Sequence, residues 1–390
     1  MNIKAFLKRN YLIKNIYVNI LTYKCKNIYK TNYTKRALLS YSTAPFIKKK
    51  KMYIHPNYVE NHTIAEILHR YGYIVDVYNN TFSGKINYKK YDIIVGEGLP
   101  ISNYFFYKEH YILTVYYATG SHPFYNNIQS YKSLFAFYKK YKYFIQSSSR
   151  LIDFKWGIGA SLSDYLILLG NDNTKKTFEH YIEDKSKIFN LNPPYYKTNV
   201  ISDFSRKDKN KFLWFGSFGL IHKDLNTIIE IFSKHNEYEL HICGYISGEI
   251  EFINAINDIL IKSKNIHIHG FLSIQSDDFK KLMEECSFVV LTSCSEGCAT
   301  SVITVMGNGG LIPLISRQCG LDIINGTMLH ETTQEQIEYM IKNANNAYSE
   351  DMIRKFSEEN IKYIEKMFSI DLYKRNIGDI FNNIFSKNKQ

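Results

Sequence analysis

The chain reads as short apolar runs separated by longer segments whose apolar residues recur at helical spacing. One unit shows the pattern most clearly. Residues 288–291 (FVVL) form a continuous apolar run, as expected of a parallel strand buried on both faces. A polar turn with one carboxylate, Glu296, follows. Residues 299–308 then carry apolar positions at helical spacing; Thr300 and Ser301 suit the helix start, and Gly309 and Gly310 end it. Residues 311–316 give the next strand. Such a unit points the free N–H groups at the helix start out of the C-terminal edge of a sheet. Open α/β sheets bind ligands at that edge, and a helix N-terminus there favours a phosphate.

The same alternation runs through the rest. Strands are predicted at 36–41, 73–77, 91–95, 111–117 and 164–169, with an amphipathic helix at 63–71. Residues 202–210 are polar without a period and read as a linker. The pattern then restarts: strands at 212–215, 238–243 and 265–269, helices at 225–232, 250–261 and 279–285, and a mostly helical end from Gln334. Strands alternating with helices predict parallel sheets with right-handed crossovers. The expected organisation is a basic extension over 1–35, a first α/β domain over 36–205 and a second over 206–390 with the C-terminal helices.

Charge changes this picture at one end. The net charge is +12, but the first acidic residue is Glu60, so residues 1–59 carry +13 and the remainder is near neutral. That asymmetry points to an anionic surface as partner, phospholipid or nucleic acid. Phe6, Ile13, Tyr17 and Ile20 fall near one helical face, so a basic amphipathic helix competes with a solvated tail. Lys14 interrupts any secretory signal, whereas a transit peptide shares this composition. Nothing resembles a nucleic-acid-binding module, which argues against nucleic acid. No apolar run has membrane-spanning length. The six cysteines form no CxxC pair or disulfide-like framework and read as reduced thiols of a cytoplasmic protein, Cys294 and Cys298 among them as small buried residues.

The chemistry-bearing motifs are few. There is no G-x-x-x-x-G-K-[ST] loop and no G-x-S-x-G elbow, and Gly157-Ile-Gly159 is an incomplete dinucleotide fingerprint. His267 and His269 share one face of a strand, but without a carboxylate or cysteine partner they read as structural. Three loops at strand C-termini, 216–223, 244–245 and 295–301, would share one edge of the second domain. Gly216 and Gly219 admit close backbone approach, Lys223 adds positive charge, and the helix start at Thr300 and Ser301 adds donors; together they suit a diphosphate. Glu296 in the same turn suits sugar hydroxyls.

The segments FLWFGSFGLIHKDLNTIIEIF (212–232), HIHGFLS (267–273) and SEGCATSVITVMGNGGLIPLIS (295–316) resemble the GT-B retaining glycosyltransferases of the group 1 (family 4) type. YDIIVGEG, YYATGSHP and ALLSYSTAPF resemble the acceptor-side domain of one branch, and coverage is most of 36–330. The resemblance implies two Rossmann-like doubly wound parallel-sheet domains facing a cleft. A nucleotide diphosphate-sugar would bind the second domain and a glycan or lipid-linked acceptor the first, with sugar transfer under retention. No metal or other cofactor is implied, and the setting is hexosyl transfer in polysaccharide biosynthesis, cytoplasmic or peripheral at a membrane. Position by position, Lys223 matches the diphosphate-binding lysine and Glu296 the first Glu of a Glu-x7-Glu motif. Thr300 and Ser301 match the phosphate-binding helix start, and His122 the first-domain histidine near the transferring sugar. Gly216, Ser217, Gly244 and Thr304 complete the donor side. Two positions depart: the second Glu is Thr304, and the arginine expected six residues before Lys223 is Ser217. A non-catalytic domain binding nucleotide or glycan, or a nucleotide-sugar epimerase on the same fold, are the alternatives.

Overall fold

The computed structural model describes residues 23–47, 55–107, 110–198 and 200–388. The expected amphipathic helix over 6–20 and the lysine run 48–51 lie outside the described residues.

Two sheets organise the chain. The first contains β1 (Lys24–Cys25), β2 (Lys35–Tyr41), β3 (Tyr73–Asn79), β4 (Ile93–Gly96), β5 (Leu113–Ala118), β6 (Tyr165–Leu169) and β7 (Ile188–Leu191), in the order β1-β3-β2-β4-β5-β6-β7. All neighbours are parallel except the β1–β3 pair. The second contains β8 (Asp208–Phe215), β9 (Glu239–Cys243), β10 (Ile266–Gly270), β11 (Cys286–Leu291), β12 (Ile312–Ser316) and β13 (Thr327–Leu329), all parallel, in the order β10-β9-β8-β11-β12-β13. The order reverses between β2 and β4 in one sheet and between β8 and β11 in the other, and such switch points open a crevice beyond the strand C-termini.

The central strands are buried on both faces, which is why they are legible as apolar runs. Every residue of β11 is buried, Phe288 stacks on Phe212 with ring centroids 5.0 Å apart, and Trp214 lies fully inside. The helix Leu225–Phe232 is flanked by this core through Leu225, Ile228, Ile229 and Phe232.

Several elements depart from the sequence reading. Helix α1 (Pro56–Arg70) starts seven residues earlier than expected. Pro56 at its first position has a φ already suited to a helix, and His55 Nδ1 accepts from the N–H of Asn57 at 3.2 Å. The early start buries Glu60 and Asn61. Helix α2 (Pro123–Tyr141) begins above the first sheet, yet its Leu134 and Phe137 join the core of the second, Phe137 stacking on Phe252 at 5.7 Å. Gly157 and Gly159 sit inside helix α3 (Phe154–Leu162), not in a phosphate loop. A Cβ there would stand 2.3 Å from the Phe124 ring and 2.4 Å from Ser102 Oγ, so the pair serves close packing. The last helix, α4 (Ile370–Lys387), falls within the expected second domain by sequence but packs on the first sheet. Tyr373, Ile377, Phe381 and Ile384 are buried there, and the hydroxyls of Tyr373 and Tyr117 are 3.0 Å apart.

Candidate functional site

A cleft of about 1900 Å³ lies between the C-terminal edges of the two sheets. Its second-domain wall is built at the β8/β11 switch point. After β8 the chain runs through Gly216 and Ser217 to Gly219, whose φ of +87° is open to glycine but strained for other residues. Glu249 fixes this turn by accepting from the N–H groups of Gly219 and Leu220. Gly244, at the end of β9, must also be small, because a Cβ would stand 2.2 Å from the Gly216 carbonyl oxygen. Gly216, Ser217, Lys223, Gly244, Glu296, Thr300, Ser301 and Thr304 all line the one cleft.

Its centre is a buried charge cluster. Lys223 is 4% exposed, and its Nζ donates to Glu296. Arg150, from the first domain, brings its Nη1 to 3.2 Å from the other Glu296 oxygen, and Ser293 Oγ donates to the carboxylate at 3.0 Å. Burial would raise the Glu296 pKa, but the cations Lys223 and Arg150 overcome it and hold the carboxyl well below its ordinary range. Burial pushes Lys223 down, opposed by its attraction to Glu296. His222 is pushed to about 4, chiefly by burial, so it is neutral near pH 7 and adds no charge. Two cations therefore converge on this one carboxylate.

Arg150 was not singled out by the sequence and sits in a loop with no pattern. Its side chain lies over the Phe218 ring at 5.2 Å and fills the space beside Gly219, where a Cβ would meet Arg150 Cγ at 2.3 Å. It thus places an arginine at the glycine loop, where Ser217 had left one missing.

The helix Thr300–Gly309 was expected to begin with Thr300 and Ser301 as capping residues. Ala299 is instead its N-cap, and no side chain caps it. The N–H groups of Thr300 and Val302 go to the Cys298 and Ala299 carbonyls at 2.8 and 3.0 Å, which leaves the Ser301 N–H and the positive end of the helix to an anion in the cleft. Thr304 turns its hydroxyl back to the Thr300 carbonyl at 2.7 Å. The preceding loop is pressed against the first domain: Ser121 Oγ donates to the Glu296 carbonyl at 2.6 Å, and a Cβ on Gly297 would stand 2.6 Å from the Thr119 carbonyl oxygen.

His122 does not line the cleft. It is fully buried as the N-cap of α2, Nδ1 accepting from the Phe124 N–H at 3.3 Å, Nε2 3.1 Å from Ser161 Oγ, and the ring stacked on Tyr181 at 4.0 Å. Burial pushes its pKa to about 3. The residue expected near the transferring sugar is a neutral structural cap.

The first-domain wall carries two carboxyls that the sequence reading did not assign. Glu97 follows β4 and accepts from Thr119 Oγ1 at 2.9 Å and Asn80 Nδ2 at 3.1 Å; burial raises its pKa. Glu60, on α1, accepts from the Tyr41 hydroxyl at 2.6 Å, and burial pushes it from 4.5 to about 7. Both line the cleft. Glu97 had a signal, the Gly96-Glu97-Gly98 turn at a strand end; Glu60 lay before the expected helix start and had none.

Solved structures with this architecture are GT-B glycosyltransferases. The glycosyltransferase of Rickettsia africae ESF-5 superposes with a TM-score of 0.57 at 14% identity, covering 90% of this chain and 99% of that one. Anabaena HepE in complex with UDP-glucose gives 0.56 at 12% identity, covering 90% and 99%. TarM of S. aureus gives 0.52 at 16% identity, covering 74% of this chain and 54% of that one. The chain thus spans about half the length of TarM. No protein-family model and no curated protein matches the sequence. At these identities the likeness establishes the fold: two Rossmann-like domains facing a cleft, the GT-B fold.

The raised Glu60 pKa has a readable consequence. Unfolded, the carboxyl ionises near its ordinary 4.5; folded, near 7. Its contribution to stability is full below the unfolded value and is lost as pH rises through about 7. Glu60→Gln should therefore gain on the wild type between pH 5 and 7.5, on the order of 3 kcal/mol by urea unfolding. Parallel stability profiles for the two proteins would contradict it.

Proposed function

We propose that the protein transfers a glycosyl group from a nucleoside diphosphate-sugar to a hydroxyl acceptor, with retention at the anomeric carbon. One observation carries the reading: Lys223, Arg150, Glu296 and an uncapped helix start converge on one wall of a cleft between two Rossmann-like domains. The bond from the anomeric carbon to the diphosphate breaks, a bond to the acceptor oxygen forms on the same face, and the acceptor proton passes to the departing phosphate oxygen. Negative charge grows on the diphosphate as the bond breaks. Lys223, Arg150 and the N–H of Ser301 at the helix start would stabilise it where the low dielectric strengthens each contact. These cations make a metal ion at the diphosphate unnecessary to the mechanism. Glu296 would accept from a sugar hydroxyl once the phosphates take up its lysine. Glu97 and Glu60 face the acceptor side and suit the hydroxyls of a glycan. Domain closure would exclude water as a competing acceptor.

The basic residues 1–59 fit an acceptor held at an anionic membrane surface, a lipid-linked glycan reached from the cytoplasmic side. Among the described residues no helix is long and apolar enough to cross a membrane. Deleting residues 1–35, which removes eight of the thirteen basic residues, should abolish binding to anionic vesicles at low salt, and unchanged binding would remove the membrane from the proposal.

A second reading is favoured by Thr304 and Ser217: a protein that binds the nucleotide-sugar without turning it over. A thermal-shift and hydrolysis screen against UDP-, GDP- and ADP-sugars separates the two. Stabilisation by one donor with slow release of its nucleoside diphosphate supports transfer, and Lys223→Ala should then lower turnover by about 10²–10³. The variant keeps Glu296 paired with Arg150, so a retained melting transition is expected. Stabilisation without turnover would favour the binding reading, and near-normal turnover in Lys223→Ala would sink the role given to that lysine.

A further inference from the structure

Outside the cleft, the edge strand β10 of the second sheet and its neighbour β9 assemble a cluster that the sequence separates by more than twenty residues. Glu239 and His241 lie two apart on β9, and His267 and His269 two apart on β10. Residues two apart share a face of a strand, and the register sets His267 directly beside His241. The imidazoles of His241 and His267 stack with centroids 4.9 Å apart. Glu239 Oε2 is 3.5 Å from His241 Nε2 and 3.9 Å from His267 Nε2. One ligand atom from each of these three residues lies within 4.8 Å of the others. In the sequence the two β10 histidines lacked a carboxylate partner; the fold supplies one from β9.

A second observation points to a ligand. His241 is 7% exposed, and its Nε2 is buried with no hydrogen-bond partner. Buried polar atoms are nearly always partnered, so this one marks a missing group. The other ring nitrogen is engaged: His241 Nδ1 is 3.0 Å from His269 Nε2. If Nδ1–H donates to His269, the Nε2 lone pair is left facing Glu239 and His267. Holding a ligating imidazole through its second nitrogen is the usual outer-shell device of metal centres.

We propose that Glu239, His241 and His267 bind a divalent transition-metal ion of the zinc class, with His269 holding His241 in the ligating tautomer. Two imidazoles and one carboxylate suit Zn²⁺ and its neighbours better than Mg²⁺ or Ca²⁺. Tetrahedral ligands at about 2.0–2.2 Å stand roughly 3.3–3.6 Å apart, so Glu239 is already near ligand distance of both imidazoles, and binding draws the half-exposed His267 towards His241. His267 and Glu239 keep 41% and 43% of their side chains exposed, which opens the site to an entering ion and to a water as fourth ligand. Lys211 lies 3.8 Å from Glu239, but it is also engaged by Glu285 at 3.0 Å. The ion would tie the edge strand β10, which has one neighbour, to β9. Beyond β10, Phe271 and Leu272 line the cleft, so the tie steadies that wall without entering the reaction.

The test uses the untagged full chain, stripped of metal with EDTA, titrated calorimetrically with Zn²⁺ and melted at rising Zn²⁺. One ion per chain and a melting temperature that climbs with Zn²⁺ are expected. His241→Ala and His267→Ala should each weaken binding at least a hundredfold and remove the climb, and His269→Ala should weaken it about tenfold or more. His330→Ala, on the far side of the sheet order, should bind as the wild type. Glu239→Gln, at a half-exposed position, serves if a histidine variant fails to fold, and should also lose affinity. Absence of saturable binding by the wild type, or stoichiometric binding surviving His241→Ala or Glu239→Gln, would overturn the assignment.

Discussion

A buried carboxylate held between two cations, one from each domain, is the interaction on which the cleft depends. Each charge loses its hydration on burial, at a cost of several kcal/mol per ion, and only close pairing offsets it. Glu296 cannot be removed alone, because Lys223 would stay buried without a counter-ion beside the partly exposed Arg150, a change worth about 3–5 kcal/mol. The same arithmetic makes the site receptive. Lys223 and Arg150 sit together at the cleft wall, next to a helix start that no side chain caps. An anion completes the set.

The cluster also accounts for how the two domains meet. Arg150 reaches Glu296 because the segment leading to it leaves the first sheet along α2 and is latched to the second domain. Lys140 and Tyr141 both bond to Glu230, Ser130 Oγ lies 3.0 Å from His222 Nδ1, and Ser148 bonds to Glu249, which in turn holds the glycine loop before Lys223. On the opposite side the last helix, α4, returns from the second domain to cover the first sheet. The cleft walls are thereby tied at two places.

What the sequence showed, and what it hid, follows from where each signal is encoded. Strands buried on both faces write themselves as apolar runs, so the apolar ends of β8, β9 and β11 and the helix Leu225–Phe232 were readable, whereas the charged start of β8, from Asp208, lies in the stretch read as linker. Lys223, Glu296, Thr300 and Ser301 were readable as cleft-lining because each lies in the loop or helix start that follows such a strand. Helix α2 was not, since a helix packed partly against another domain mixes tyrosines with polar residues and shows no single apolar stripe. Arg150 and Glu239 owe their placement to tertiary register, which no local spacing records. His122 misled for the opposite reason: its sequence context resembled a site, but Pro123 after it makes a helix N-cap the local solution, and the ring is used there.

The central claim is that the pocket formed by Lys223, Arg150 and the start of the helix Thr300–Gly309 takes a diphosphate. A crystal structure of the protein with a nucleoside diphosphate bound tests it most directly. The account predicts the β-phosphate against Lys223 Nζ and the Ser301 N–H, with Arg150 turned from Glu296 towards the phosphates. A nucleotide bound elsewhere, with the Lys223–Glu296–Arg150 cluster undisturbed, would contradict it.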